Sequence, residues 1–475
     1  MKVIKFGGSS LANATQLRKV FNIVKSDEKR KIVVVSAPGK RTSDDEKVTD
    51  LLIQLATSHI EGNYDEEVLK KILVRYKEIC DELQLKPEVF ELVRIHFKNL
   101  KERTDLAPDY LKDAYKASGE DLNARLIASY FNQEGLAAKY VGPREANLWV
   151  SDTPGEARVL EESYHELEYL QLTNEVIIFP GFYGVTKEAN VVTFSRGGSD
   201  ITGSILANAV NAEEYENFTD VDAIYVASPK IVHKPLPIDV LSYTEMRELS
   251  YAGFSVFHTE ALLPSIKKGI PVHVCNTNNP EASGTYIMQG KGTYIMQGKV
   301  SSPSVISGIA SSPGFVSIYV KKYLMNHEIG FLRKVLTIFE EEGISIEHIP
   351  TGIDDVTIII RGEDATDEKL DGIVERLYAE LDVQLESIVE RFYAELDVDE
   401  ASFTRGLCLI MLVGEGMVNM VGTTARVAST LARTQINIEL YNQGVSEVSM
   451  MFGILDQYEK KAIRALYDEF FGEEK

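Results

Sequence analysis

The sequence predicts an α/β protein with a largely parallel central sheet between helices, followed by two small α+β modules. Three observations carry that prediction. Up to about residue 300, short β-rich apolar runs alternate with helical stretches, the pattern of a parallel sheet covered on both faces. Two of those runs end in glycine pairs, at Gly7-Gly8 and Gly197-Gly198, at strand ends where such a sheet takes its ligands. Beyond residue 300 the repeating unit shortens to strand, helix and paired strands, twice over.

Taken in order, Val3-Ile4-Lys5-Phe6 is the first strand and Gly7-Gly8-Ser9-Ser10 a turn without side-chain bulk. Leu17, Val20, Phe21 and Val24 then recur at helical spacing. Glycines let backbone N–H groups close on an anion, a helix N-terminus adds its dipole, and Lys5 sets a cation beside them. A second strand over 32–35 leads into Ser36-Ala37-Pro38-Gly39, and Thr49-Asp50 opens a helix. The heavily charged stretch from about 65 to 115 reads as helical. Ala117-Ser118-Gly119-Glu120 reads as a small-residue turn that places a carboxylate at a helix beginning. Strands follow over 176–179 and 191–194. The second runs through Ser195-Arg196 into Gly197-Gly198-Ser199-Asp200 and an apolar helix of small residues over 201–210. Thr219-Asp220-Val221-Asp222, Tyr225 and Pro229-Lys230 come next.

In the last third, one unit has a strand over 317–324, a turn at Gly330, a helix over 331–342 and strands near 344–349 and 356–360. The other has a strand over 408–413, a helix over 422–431, strands over 436–441 and 445–454, and a terminal helix to 471. Such tandem units suit a paired binding module rather than a second catalytic domain.

Bulk properties narrow the function. A chain of 475 residues needs two to four domains, and a net charge of −22 argues against general affinity for nucleic acid or anionic membrane. A protein this acidic needs local cations wherever it holds phosphate. The three cysteines, Cys80, Cys275 and Cys408, form no Cys-x-x-Cys pattern and imply neither a zinc site nor a disulfide framework. No apolar run reaches membrane-spanning length and no signal peptide is evident, so a cytoplasmic protein is expected. Two tandem repeats stand out: 284–291 recurs identically as 292–299, and 373–383 recurs as 388–398 with only Leu377 changed, to Phe392. Two copies do not make a solenoid, and local duplication is the plainest reading.

Singly, each turn has an ordinary structural explanation. Together they supply what phosphoryl transfer to an amino acid requires: cations and N–H-rich turns for phosphates, a carboxylate for an ammonium, and an arginine for a carboxylate. Lys-Phe-Gly-Gly-Ser-Ser at 5–10, Ser-Gly-Glu at 118–120, Arg-Gly-Gly-Ser-Asp at 196–200 and Thr-Asp-Val-Asp at 219–222, with Thr49-Asp50, resemble the aspartate kinases of the amino-acid-kinase superfamily. The resemblance covers nearly the whole chain. It implies an amino-acid-kinase fold over 1–299 and ACT domains over 300–400 and 401–475. It also implies the use of ATP and Mg2+ to phosphorylate the β-carboxylate of L-aspartate, the first step toward lysine, threonine, methionine and diaminopimelate.

Position by position, the resemblance gives Lys5 the neutralisation of the phosphoryl group in flight, and Asp200 the ordering of that lysine. Gly7, Gly8 and Ser9 form the phosphate cradle. Glu120 receives the aspartate amino group, Arg196 its α-carboxylate, and Thr49, Ser9 and Ser199 stand on the substrate side. Thr219, Asp220, Tyr225 and Lys230 belong to the nucleotide, and no residue is assigned to a metal. Two departures are present: Phe194-Ser195 where many members have Leu-Gly, and Ser255 where many have a lysine near the adenine.

In the first ACT unit, Met325, Gly330, Phe331 and Leu332, with Ile346 and Glu347 on the following strand, resemble the site that receives a small amino acid between two such domains. Glu347 suits the ε-ammonium of lysine. Lysine, threonine or both are the expected feedback ligands, and a homodimer or dimer of dimers is implied. Two other readings stay open: a superfamily kinase acting on glutamate, N-acetylglutamate, carbamate or UMP, and a catalytically dead amino-acid sensor. The pairing of Glu120 with Arg196 disfavours the former, and intact Lys5 and Asp200 the latter.

Overall fold

Parallel strands buried on both faces need continuous apolar runs, and β1 (Lys2–Phe6), with Val3, Ile4 and Phe6 wholly covered, is such a strand at the centre of the main sheet. The computed structural model describes all residues except 196, 255–258, 290–293, 297–298, 302–304, 363–385, 419, 445–447 and 473–475. They fall into two units. The first comprises Met1–Ile224, Pro237–Ser250 and Ser255–Ser302; the second comprises Tyr225–Leu236, Tyr251–Phe254 and Pro303–Lys475.

In the first unit the strands are β1, β2 (Arg30–Val35), β3 (Ala138–Tyr140), β4 (Val176–Pro180), β5 (Tyr183–Val185), β6 (Val191–Thr193), β7 (Glu214–Thr219), β8 (Val240–Ser242), β9 (Val272–Asn276) and β10 (Thr285–Met288). Eight of them form one sheet in the order β3-β4-β2-β1-β7-β9-β10-β8, in which only the β9–β10 pair is antiparallel. The 191–194 run lies outside that sheet, since β6 pairs antiparallel with β5 alone. From β1 the chain proceeds to β2 on one side and to β7 on the other. That reversal opens a crevice at the carboxyl ends of these strands.

The helices of this unit are α1 (Ala14–Lys25), α2 (Val48–Ile60), α3 (Glu66–Glu82), α4 (Pro87–Lys101), α5 (Pro108–Gln133), α6 (Glu162–Leu167), α7 (Gly198–Ala209), α8 (Tyr243–Tyr251) and α9 (Leu263–Lys268). The charged stretch over 65–115 is helical as expected, divided among α3, α4 and the start of α5. Pro87 and Pro108 stand at the first positions of α4 and α5, where a missing N–H costs nothing. The expected turn at 117–120 is corrected: those residues lie in the middle of the 26-residue α5. Gly119 serves close packing there, because a Cβ on it would come within 2.7 Å of the Ala37 Cβ.

The duplicated octapeptide takes two forms. Its first copy supplies β10 at the main sheet, and its second supplies β11 (Tyr294–Met296), which pairs antiparallel with β12 (Lys299–Ser301).

The second unit is built on an antiparallel sheet in the order β14-β13-β15-β17-β16: β13 (Gly308–Lys321), β14 (Asp355–Arg361), β15 (Glu400–Val413), β16 (Leu440–Gln443) and β17 (Ser449–Leu455). Helices α10 (Phe331–Glu341), α11 (386–396), α12 (Thr423–Arg433) and α13 (Glu459–Phe471) accompany it. The two modules share this sheet, because β13 and β15, 14 residues each, run through both. Their cores are separate. Val316, Ile318, Phe339 and Phe392 belong to one, and Ile309, Ile410, Val427 and Phe452 to the other. The strand expected near 344–349 amounts to a single bridge, His348 to Ile359.

Of the second repeat, 373–383 lies outside the described residues, and 388–398 builds most of α11 with Ile388 and Phe392 fully buried. Phe392 packs on Phe339 with ring centroids 6.0 Å apart. Phe392→Ala is therefore expected to cost about 3–5 kcal/mol of stability, read as a shift of the chemical denaturation midpoint.

Candidate active site

Lys5 sits next to the last residue of β1, only 8% exposed, with Nζ 2.7 Å from Asp200 Oδ1. Asp200 lies in the first turn of α7, which begins after Gly197 at φ 76°, a left-handed conformation that costs glycine nothing. A second glycine turn follows β1 directly as a 3-10 turn, Gly8–Leu11, whose first amides have no partner within the turn. The turn is tied at both ends. The Gly7 N–H donates to Phe218 O at 3.2 Å, and the Ser10 and Thr277 hydroxyls lie 2.7 Å apart. The Gly39 N–H donates to Gly8 O at 2.9 Å, and a Cβ on Gly39 would fall 2.5 Å from the Gly8 carbonyl carbon. Only glycine permits that approach.

These groups line a cleft of about 540 Å3 that also takes in Thr49, Glu120, Phe182, Gly198 and Ser199. Of the residues expected at the site, Lys5, Gly7, Gly8, Ser9, Thr49, Glu120, Ser199 and Asp200 all meet here. Glu120 is 4% exposed, and burial pushes its carboxyl up to about 8, with an N–H from Ala37 acting in the opposite direction. One of its oxygens, Oε2, is buried with no hydrogen-bond partner. A buried oxygen left unpartnered inside a cleft is open to a donor that enters it.

Thr219 ends β7 and Asp220 follows it, exposed; neither lines the cleft, although β7 adjoins β1. Tyr225 and Lys230 belong to the second unit. Arg196 and Ser255 lie outside the described residues.

Several supporting residues had no sequence signal. Asn217 on β7 donates to Asp200 Oδ1 at 2.5 Å, and the Tyr215 hydroxyl donates to the Asp200 backbone carbonyl at 3.1 Å, so Asp200 is fixed at both ends. Asn123, fully buried one turn beyond Glu120, donates to Ser36 O at 2.7 Å and pins the end of β2. Buried Arg75 holds the loop over 39–46 through Gly39 O (2.8 Å), Asp45 (2.5 Å) and Glu46 O (3.0 Å).

Among the described residues, Glu214, Glu216 and His273 are the one cluster with metal-ligand character. It lies at the opposite end of β7, and Lys2 (2.8 and 2.9 Å) and Arg30 (2.6 Å) already occupy its carboxylates.

In the second unit Met325 and Phe331 are buried, Gly330 (φ 81°) immediately precedes α10, Leu332 is exposed and Ile346 packs partly on the core. Glu347 is already engaged: Arg361 Nε lies 3.3 Å away and the Tyr251 hydroxyl donates to its other oxygen.

Comparison with known proteins agrees with this geometry. The model of the amino acid kinase family matches residues 1–276, and that of an ACT domain residues 410–470. Aspartokinase 3 of Bacillus subtilis is 51% identical over 473 residues, 99% of each chain. Lysine-sensitive aspartokinase 3 of Escherichia coli is 26% identical over 479 residues, again 99% of each. The crystal structure of Clostridium acetobutylicum aspartate kinase superposes with a TM-score of 0.81 at 36% identity, covering 99% of both chains. The chain belongs to the amino acid kinase family and, within it, to the aspartokinases.

Proposed function

We propose that the chain transfers the γ-phosphoryl group of ATP to the β-carboxylate of L-aspartate, giving 4-phospho-L-aspartate and ADP. This is the first step toward lysine, threonine and methionine. The observation that carries the reading is the unpartnered, buried oxygen of Glu120 in one cleft with the Lys5–Asp200 pair and the glycine turn. Glu120 takes the substrate ammonium, and Arg196 the α-carboxylate, which leaves the β-carboxylate facing the phosphates over Gly7, Gly8 and Ser9. One β-carboxylate oxygen forms the new bond to the γ-phosphorus as its bond to the ADP oxygen breaks. No general base is needed, because that carboxylate is already ionised at neutral pH. The charge spreading onto the departing phosphoryl oxygens meets Lys5, whose position Asp200 and Asn217 hold.

The cleft suits ATP in its cation, glycine amides and the first turn of α7. Thr219, Asp220, Tyr225 and Lys230 are proposed for the rest of the nucleotide. Mg2+ needs at most one or two carboxylates besides the phosphates, and when bound with ATP it neutralises their charge.

An ATP-dependent hydroxamate assay with aspartate, glutamate and N-acetylglutamate tests the reading. Product from aspartate alone is expected. Product only from another acceptor, or none at all, overturns it.

Residues 1–299 are proposed to be catalytic, and 300–400 and 401–475 to be the regulatory modules of a cytoplasmic homodimer or dimer of dimers. We place an end-product amino acid at Met325, Gly330, Phe331, Leu332, Ile346 and Glu347, with lysine first and threonine next. The name of the lysine-sensitive relative supports that order. A lysine ε-ammonium at Glu347 has to share a carboxylate that already serves Arg361 and Tyr251. Glu347→Ala is expected to raise the half-inhibitory lysine concentration at least about fivefold, the lower end of ordinary allosteric coupling. Inhibition curves for lysine and threonine, alone and together, check this, and an unshifted lysine curve removes Glu347 from the site.

A further inference from the structure

Helix α5 is a partition between two cavities. One face carries Gly119, Glu120 and Asn123 against the end of β2. The other carries Ala114, Ala117, Ser118, Asp121 and Arg125, which recur every three or four residues along one stripe, and this stripe lines a second cleft of about 660 Å3. Apolar surface from Leu100, Pro143 and Val185 also lines it, together with the guanidinium groups of Arg103, Arg125 and Arg144.

Two of those cations are neutralised: Arg103 by Asp105 at 2.6 Å and Arg125 by Asp121 at 2.9 Å. Glu145, in the same lining, is held by Lys139 at 2.8 Å. Arg144 donates to the Ala189 carbonyl at 2.6 Å, and among the described residues no carboxylate lies within ion-pair range of it. His96 completes the wall. The Ser118 hydroxyl donates its one proton to Ala114 O at 2.8 Å, so the 2.7 Å contact between Ser118 and His96 has the imidazole Nε2–H as donor. That tautomer leaves Nδ1 as an acceptor, and among the described residues nothing donates to it. Burial holds the ring below the usual imidazole range, so it is neutral at pH 7.

We infer that this cleft is a second ligand site, for a small organic carboxylate with an apolar body and a hydrogen-bond donor, and that α5 transmits its occupancy to Glu120. The carboxylate answers Arg144, the body covers the apolar surface, and the donor meets His96 Nδ1. Filling the cleft braces Ser118 and Asp121. These two residues flank Gly119 and Glu120 in sequence, so a shift on one face of the helix is felt one residue away on the other.

The binding arm of the test does not depend on the proposed reaction. The full-length protein is titrated with 4-hydroxybenzoate by calorimetry and ligand-observed NMR, with benzoate as the donor-free comparison. One site per chain is expected, with benzoate weaker. Arg144→Ala, and Ala117→Phe, which fills the cleft, are each expected to weaken binding at least tenfold, with folding checked by circular dichroism. Saturating aspartate is expected to change the 4-hydroxybenzoate affinity at least threefold, and by linkage the probe changes aspartate affinity by the same factor. Absence of binding, affinity unchanged in both variants, or simple competition with aspartate overturns the site. Binding without any effect of aspartate overturns the coupling through α5. If Ala117→Phe does not fold, Arg144→Ala decides.

Discussion

Lys5→Ala is expected to lower turnover by about a hundredfold or more, with the fold retained. Two changes act together in this variant. The cation proposed to meet charge on the departing phosphoryl group is lost, and Asp200, 2.7 Å from Nζ in the native protein, is left with Asn217 as its side-chain donor. A site that presented a positive charge to phosphate then presents an unneutralised carboxylate. Steady-state kinetics at saturating ATP and aspartate, with circular dichroism on the same samples, checks the outcome. Near-normal turnover would remove Lys5 from the chemistry.

Glu120→Gln is expected to raise the aspartate half-saturation about 30-fold or more, since removing one partner of a buried charge pair costs about 2–5 kcal/mol. A pH signature separates this from simple loss of packing. Burial pushes the Glu120 carboxyl up to about 8 in the ligand-free protein, so below that pH it is mostly protonated. An ammonium beside it favours the ionised form, and aspartate binding therefore releases up to one proton per site at pH 7. Aspartate affinity should rise with pH and level off above about 8. Calorimetry in two buffers of different ionisation heat reads the proton directly, and Glu120→Gln should show none from this residue.

Stability moves the other way. Between the unfolded carboxyl value of 4.5 and the folded value of about 8, the folded chain holds a proton that the unfolded chain has lost. The contribution of Glu120 is thus fully present below that window and declines as pH rises through it. Aspartate should offset this decline in the native protein, and Glu120→Gln, which has no carboxyl there, should not show the decline at all.

What could be read from the sequence follows from how local each signal is. Gly7-Gly8 and Gly197-Gly198 were legible because a turn at the end of an apolar strand needs no partner to be recognised. The stretch at 117–120 misled for the same reason: small residues suggest a turn, but here they let α5 approach Ala37 and Leu52. Helix α5 is covered on nearly every side in its second half, so no amphipathic stripe marked it. Asn217, Tyr215 and Asn123 are isolated polar residues in buried elements, and only the pairing of β7 with β1 and the packing of α5 on β2 give them work. The repeated octapeptide shows the limit most directly, since its Tyr-Ile-Met segment lies in a main-sheet strand in one copy and in a separate two-stranded sheet in the other.

The excursion of residues 225–236 bears on how this protein can be cut, fused or recombined. The backbone leaves the first unit after Ile224 and re-enters it at Pro237. While away it supplies Ala227 and Val232 to the core around Ile410 and Phe452, and Val226 O accepts the Ile309 N–H at 2.7 Å. A truncation at residue 300 would therefore leave a hole in that core and an amide without its acceptor. A break at 400 would separate β15 from the module it enters first. Transplanting feedback control from this chain to another kinase is thus a graft with several breakpoints, and the inherited cassette is the whole five-stranded sheet together with its borrowed loop.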